Sequence, residues 1–474
     1  MTFKILFIEP PKDYWFLMGK YLPPPMGLLA LAAFVERDLE DVEVDVIDCQ
    51  AEDLGWSALE KRIYSLSPDV VASSGFTCNA YGCARTAEIA KTVDPGIITI
   101  VGGQHFSFTS EESLSSFPEI DYVVRGEGER TLVELIKAVR NGGDLTAIKG
   151  LSFRAHNKIV HNPPRPLIED LDSLPFPAYH LVEKNLHRYH MKVMAGKERF
   201  LILEGARGCW HRCSFCTQWR HWSGTWRTKT VKRIADEMVH LRDNYGAGFL
   251  WLADDNFELG LRGEELARAL ADKGYGDSTT WFFQSRMDDI VQHPDVVTHL
   301  HEVGNSWQLL GVENNSPEVL SEFNKGEGVE DAAKAVEVLK DHGILAQAMM
   351  VIGSRRDTSG TIQGLRDFSI RLDADLTIFT VLTPFPGTNI HAIAKERGWI
   401  EDANYAHYDM THAIMPTETL SRKELQQELL DCYRAFYGSP VNIVRGLFSH
   451  NELKKRSYRH LAGKRVLHSL RQLV

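Results

Sequence analysis

The chain has 474 residues, 43% hydrophobic and 25% charged, which allows two to four folded domains and excludes a disordered or fibrous chain. Its 53 Lys and Arg stand against 64 Asp and Glu, a formal net charge of −11, so general electrostatic capture of nucleic acid is not expected. No uncharged apolar run approaches the ~18–20 residues of a membrane span, and the start MTFKILFIEPPKDYW lacks a basic segment followed by an apolar one, which points to the cytoplasm.

Short apolar runs alternate with amphipathic stretches over the first 140 residues. Strand-like runs lie at 3–9, 42–48, 69–74, 97–101 and 121–125, and helix-like stretches at 26–37, 56–65, 80–92 and 129–140. Continuous apolar strands separated by helices imply a parallel sheet covered on both faces, a doubly wound Rossmann-like α/β domain. In such a fold ligands sit at the carboxyl ends of the strands. Those ends carry Ser73, Ser74, Gly75, Phe76 and Thr77; then Gly102, Gly103 and Gln104; then Gly126 and Glu127. Glycines permit close backbone approach, and Ser and Thr offer hydrogen bonds. Each turn alone reads equally as a tight turn or helix cap; three on one sheet edge point to a bound cofactor. No G-x-G-x-x-G follows the first strand, which disfavours a dinucleotide site.

The pieces PPPMGLLALAA, SSGFT, VGGQH and VVRGEGERT resemble the cobalamin-binding domain that precedes the catalytic domain of many radical S-adenosylmethionine (SAM) enzymes. The resemblance covers nearly all of residues 1–140. The loop after the first strand, PPKDYWFLMGKYLPPP, contains no histidine, so the lower cobalt ligand of the D-x-H-x-x-G type is absent. The Phe76–Asn79 turn is the candidate cover for the lower cobalt face.

Residues 141–195 are rich in proline and glycine and read as a linker with one hairpin, LSFRAHNKIVHN. A strand at 200–204 then leads into GARGCWHRCSFCTQW, where Cys209, Cys213 and Cys216 have the spacing C-x-x-x-C-x-x-C. Seven cysteines in a long chain argue against a disulfide framework. Three thiolates on one loop can hold three irons of a cubane cluster. The alternative is structural zinc with His211 or His221 as a fourth ligand. The spacing, with Phe215 before the last cysteine, is similar to the radical SAM signature, and the resemblance implies that an open iron chelates SAM. It extends over strands at 249–257, 281–286, 310–314, 346–353 and 376–388, separated by helices at 229–244, 261–273, 329–342 and 359–372. With the strand at 200–204 these make a partial (β/α)6 barrel over 196–399, with its site at the strand carboxyl ends. The resemblance assigns Phe215, Asp254, Asp255, Gln284, Ser285, Arg286 and Glu313 to SAM. Carboxylates at strand ends can accept from an ammonium, and an arginine can clamp a carboxylate; capping and surface pairing are the plainer readings.

Residues 400–474 form a helical C-terminal domain, with an amphipathic helix at 421–437. The last 34 residues carry eight Lys or Arg (Arg445, Lys454, Lys455, Arg456, Arg459, Lys464, Arg465, Arg471) against Glu452, read as a solvated face or as a docking surface for an acidic partner.

The resemblance implies a [4Fe–4S] cluster, SAM and cobalamin on one chain. It implies a C-methyltransferase that acts on an unactivated sp3 carbon through a 5′-deoxyadenosyl radical and methylcobalamin, fed by an external one-electron donor. The run CSFCTQWRHWSGTWR also resembles anaerobic magnesium-protoporphyrin monomethyl ester cyclases, the alternative enzyme reading. A non-catalytic cobalamin or redox sensor is the reading from another class. The basic tail and aromatic content suit a peptide or protein substrate; glutamine of methyl-coenzyme M reductase is one family example.

Overall fold

Val- and Ile-rich runs form the strands of two α/β units, and the interleaved amphipathic stretches form helices. The computed structural model describes residues 2–12, 21–156, 158–194, 196–276 and 279–463. The first unit runs to Tyr189; the second takes the chain from His190 onward, with a short strand that precedes Pro24.

In the first unit, β1 (Phe3–Glu9), β3 (Val42–Asp48), β4 (Val70–Ser74), β5 (Ile98–Gly102), β6 (Tyr122–Val124), β7 (Leu151–Ala155) and β8 (Lys158–His161) form one sheet in the order β3-β1-β4-β5-β6-β7-β8. The first five strands in that order are parallel, and β7 and β8 add antiparallel. Helices Met26–Asp38, Trp56–Leu66 and Ala80–Val93 and the short pair Gln104–Phe108 and Ser110–Ser116 connect the parallel strands, and Gly128–Asn141 leads from β6 to the antiparallel β7. The sequence suggested a boundary at 140 and a linker to 195. The chain instead stays with this unit, because the hairpin extends the sheet and the proline-rich stretch packs back. The Glu127 carboxylate accepts from the Ile168 amide at 2.6 Å, and the Ala178 amide donates to the Leu29 carbonyl at 3.0 Å.

In the second unit, β10 (Phe200–Leu203), β13 (Phe249–Leu252), β14 (Thr280–Ser285), β15 (Asn305–Glu313), β16 (Leu345–Ile352) and β17 (Leu376–Val381) form a six-stranded sheet in sequence order, parallel throughout. Two short antiparallel pairs accompany it: β2 (Tyr21–Leu22) with β9 (His190–Met191), and β11 (Ala206–Gly208) with β12 (Trp226–Thr228). The edge strand β17 would leave a row of backbone groups unpaired. Helix Arg422–Tyr437 covers it: the Tyr433 hydroxyl bonds to the amide and carbonyl of Phe379, and the Tyr437 hydroxyl to those of Thr377. Ser421 and Glu424 cap that helix reciprocally. Among the described residues no helix is long and apolar enough to cross a membrane.

Of the five cations of the basic C-terminal stretch among the described residues, four pair within the chain and Arg459 is exposed. Lys454 pairs with Asp375 at 2.8 Å, Arg445 with Asp373 at 3.1 Å, Arg456 with Glu198 at 3.7 Å, and Lys455 with Glu452. Lys464, Arg465 and Arg471 lie outside the described residues.

At the end of β3, Asp48 is 1% exposed. Its Oδ1 accepts from the amides of Gln50 and Ala51, and the buried Tyr189 hydroxyl lies next to the carboxylate. Burial, with Glu9 nearby, pushes its carboxyl from 3.8 up to about 6. A carboxyl raised in the folded state favours folding below its ordinary value and loses that contribution as pH rises through about 6. Asp48→Asn, which keeps the Oδ1 acceptor, is expected to stabilise the chain at pH 8 by on the order of 1–3 kcal/mol. Urea unfolding at pH 8 and pH 4 checks this; an equal gain at both would reject the ionisation argument.

Candidate functional site

The carboxyl end of β13 holds both ends of the cysteine loop. Asp254 is fully buried, and its Oδ1 accepts from the amides of Gly205 (2.6 Å) and Ala206 (2.8 Å). Its Oδ2 pairs with Arg262 at 3.3 Å, and Arg262 also donates to the Gly205 carbonyl at 3.0 Å. Asp255 accepts from the Gly208 amide at 3.2 Å, and the Trp226 indole donates to the Asn256 carbonyl at 3.3 Å. Thus three successive residues of the DDNF run grip β11 and β12, the two strands between which Cys209, Cys213 and Cys216 lie. Gly208 sits at φ +94°, where a Cβ would strike the Thr225 carbonyl, so the turn into Cys209 requires glycine.

The other side of the loop is held by the turn after helix Pro317–Glu322. The Ser214 amide donates to the Phe323 carbonyl at 2.8 Å, the Asn324 side chain donates to the Arg212 carbonyl at 2.9 Å, and Phe215 meets Phe323 edge to face at 5.1 Å. The three thiols are close enough to perturb one another. Burial raises all three, Cys216 up to about 12, with Cys213, Asp255 and Cys209 adding to it. Such thiols stay protonated until a metal displaces the protons.

Beside them lies a buried charge network. Lys325 sits between Glu313 at 3.2 Å and Glu327 at 3.3 Å. These carboxylates hold its ammonium charged, with its pKa above the ordinary value, against the opposing effect of burial. Arg286 makes a two-pronged bond to Asp288 (both 3.1 Å) and meets Glu327 at 3.2 Å. Glu313 occupies the left-handed region at φ +62°, where the β15–β16 register shifts. Gly311 makes room for the pair, because a Cβ there would come within 2.6 Å of Lys325 Nζ. Asp255 is half-buried, and loss of water around its carboxyl pushes it up to about 7.

The structure brings the expected SAM residues to one end of the sheet but gives several of them other partners. Asp254 is committed to the loop backbone and Arg262. The Gln284 side chain donates to the carbonyls of Asp254 (2.9 Å) and Asp255 (3.2 Å), so it braces the strand end. The Arg286 fork is taken by Asp288. Phe215 packs in an apolar cluster with Phe323 and Met415. Ser285 remains: its Oγ is buried without a partner. Sequence reasoning missed Lys325, Glu327 and Arg262. In the run NKGEG nothing distinguishes a buried lysine from a solvated one. A buried ammonium with two carboxylates, and an unpartnered buried hydroxyl at the end of β14, fit a zwitterionic amino-acid ligand.

In the first unit the expected residues share the carboxyl edge of the parallel strands. The Gly75 amide donates to the Gly102 carbonyl at 3.0 Å, and the His105 amide to the Gly75 carbonyl at 3.2 Å. Gly103 has φ +91°, and a Cβ there would lie 2.6 Å from Ser74 Oγ. Thr77 Oγ1 is 3.3 Å from His105 Nδ1; burial lowers that histidine to about 4 and keeps it neutral. Ser73 is buried, Gln104 begins a short helix, and the Gly126 amide donates to Ser107 at 3.0 Å. Glu127, expected at the cofactor, instead caps the Ile168 amide. Two features of this edge fit a bound cofactor: Asn79 Oδ1, buried without a partner, and Phe76, 63% exposed.

Comparison with known proteins agrees with this division. Residues 19–136 match the B12 binding domain and residues 203–359 match the radical SAM superfamily. The chain is 31% identical to an uncharacterized methyltransferase of Pyrococcus horikoshii, over 97% of this chain and 98% of that one. It is 28% identical to the anaerobic magnesium-protoporphyrin IX monomethyl ester cyclase of Rubrivivax gelatinosus, over 87% and 74%. Its fold superposes on the radical SAM methyltransferase TsrM of Kitasatospora setae, solved with cobalamin and a [4Fe-4S] cluster, with a TM-score of 0.72 at 18% identity over 100% and 99% of the two chains. The chain belongs to the cobalamin-dependent radical SAM methyltransferases, enzymes whose cofactors are a [4Fe–4S] cluster, S-adenosylmethionine and cobalamin.

Proposed function

We propose that the chain methylates an unactivated sp3 carbon. The observation that carries this is the convergence of three thiols, that of Cys213 buried and those of Cys209 and Cys216 half-buried, with the Lys325–Glu313–Glu327 network at the carboxyl end of one parallel sheet. Cys209, Cys213 and Cys216 would hold the cluster. Ser285, Lys325, Glu313 and Asp255 would hold the amino-acid end of SAM. The bound cofactors supply hydrogen abstraction by a 5′-deoxyadenosyl radical and a methyl group carried on cobalamin. The chain's own part is to hold charge away from water. Lys325 offers a desolvated cation to a carboxylate, Glu313 and Glu327 keep it protonated, and Asp254 keeps the loop in register.

Methylation of a peptide, a glutamine of methyl-coenzyme M reductase included, is the substrate reading that the basic tail and the aromatic content suggest, and four of the tail's eight cations pair within the chain. Ring closure as in the cyclases is the second reading, favoured by the 28% identity to one of them. Anaerobically prepared protein should contain about four irons per chain, and reduction with SAM should yield 5′-deoxyadenosine. Cys209→Ala should abolish both. A cofactor-replete wild type that forms no 5′-deoxyadenosine would instead be a sensor. Deuterated-methyl SAM separates the enzyme readings, because only methyl transfer leaves the label in product.

Asp254→Ala is expected to cost about 3–5 kcal/mol, because it leaves Arg262 buried and unpaired, and to lower iron content in the folded fraction. Thermal melts and iron analysis measure both; full iron content would contradict the anchoring role.

At the cobalamin edge, Phe76 is the side chain we assign to the lower face. Phe76→His should place an imidazole there. Electron paramagnetic resonance of the cob(II)alamin form should then gain nitrogen splitting that the wild type lacks. An unchanged spectrum with cobalamin fully bound would remove Phe76 from that role.

A further inference from the structure

The cysteine loop has an unusual charge pattern for so acidic a chain. From Gly205 to Ala235 there are seven Lys or Arg and no Asp or Glu, against a formal net charge of −11 overall. Several of these cations are neutralised from outside the stretch. Arg207 pairs with Glu204 at 2.7 Å, Lys229 with the buried Glu237 at 2.8 Å, and Lys232 with Asp236 at 2.7 Å. Arg212 and Arg220 are different: both are exposed, and neither has an ion-pair partner among the described residues. Both flank Cys213. Arg212 precedes it in the chain. Arg220 stacks on Trp219 at 4.7 Å, whose indole donates to the Cys213 carbonyl at 3.0 Å, and its guanidinium also bonds to the neutral Asn389. Trp210, next to Cys209, is 44% exposed and lies edge-on to Trp226 at 4.7 Å. The exposed Glu322, on the turn packed against the loop, offsets one charge of this face and leaves it cationic.

We infer that the Trp210–Arg212–Arg220 face is the docking surface for an acidic one-electron carrier protein. The inference rests on the proposed function, since only a cluster in this loop gives a carrier reason to dock here. Two guanidiniums without an ion-pair partner and an exposed indole on the same cysteine loop suit a partner whose surface offers both carboxylates and apolar area. On a chain of net negative charge, an acidic partner is repelled elsewhere and drawn to this face. The step is one electron: the carrier is oxidised by one electron, the cluster is reduced by one, and no bond or proton moves in the chain. Four C-terminal cations, Arg445, Lys454, Lys455 and Arg456, are paired and lack this property.

Flavodoxin hydroquinone serves as the probe against the full holoenzyme, with cluster reduction followed by optical bleaching and dithionite as the small-molecule comparison. Arg212→Glu and Arg220→Glu are each expected to slow flavodoxin-driven reduction about tenfold or more and to weaken binding of oxidised flavodoxin by calorimetry. Rising salt should slow the wild-type rate and leave the variants nearly flat. Arg445→Glu makes the same charge change in the tail and should leave the rate within about twofold. Dithionite-driven reduction should be the same in all four proteins. Unaltered flavodoxin rates and binding in both loop variants, or an equal loss in Arg445→Glu, would overturn the docking surface alone. A wild type whose cluster dithionite cannot reduce would overturn the proposed function and this inference with it.

Discussion

One buried carboxylate sets the geometry on which the chemistry of the second unit depends. Asp254 takes the first two amides of the cysteine loop on one oxygen and Arg262 on the other. A carboxylate removed from water is costly unless every lone pair is used, and here the chain supplies the donors itself. The arrangement is therefore self-reinforcing: the loop satisfies the charge, and the charge holds the loop. Asp255 and Asn256 extend the same grip to Gly208 and Trp226. Thiols that must bind one rigid cluster need this kind of support, because a loop with freely moving ends would present them at varying distances.

The second organising element is the network of Arg286, Asp288, Glu313, Lys325 and Glu327. Two cations and three acids share a region mostly closed to solvent. With an odd carboxylate the network has capacity for a further cation, and Lys325 within it is a donor for an anion. A ligand that carries both charges at once, as the methionine end of SAM does, suits it better than a singly charged one. Arg286 serves this network from inside, since its planar fork is matched to Asp288.

The first unit relies on close backbone approach more than on charge. Gly75, Gly102 and Gly103 bring the ends of β4 and β5 together so tightly that a side chain at Gly103 would meet Ser74. Neutral His105 and Asn79, whose Oδ1 has no partner, are buried polar groups at that edge, and Phe76 is its exposed apolar side chain. Uncharged contacts suit a large, amide-rich cofactor such as cobalamin.

Sequence alone determined the α/β alternation, the two cofactor regions and the three cysteines, because strand and helix periods, glycine turns and ligand spacing are local and need no partner. It also placed the candidate residues at strand carboxyl ends, where parallel α/β folds bring such residues. Tertiary structure decided which of those residues are available. Asp254, Gln284, Arg286 and Glu127 all stand at expected positions, yet their polar atoms are taken by loop amides, strand carbonyls, Asp288 and Ile168. Lys325 reads as one more surface charge until the fold places it between Glu313 and Glu327. Burial and pairing depend on residues distant in the chain, and for polar side chains they determine whether a group supports the site or faces the ligand.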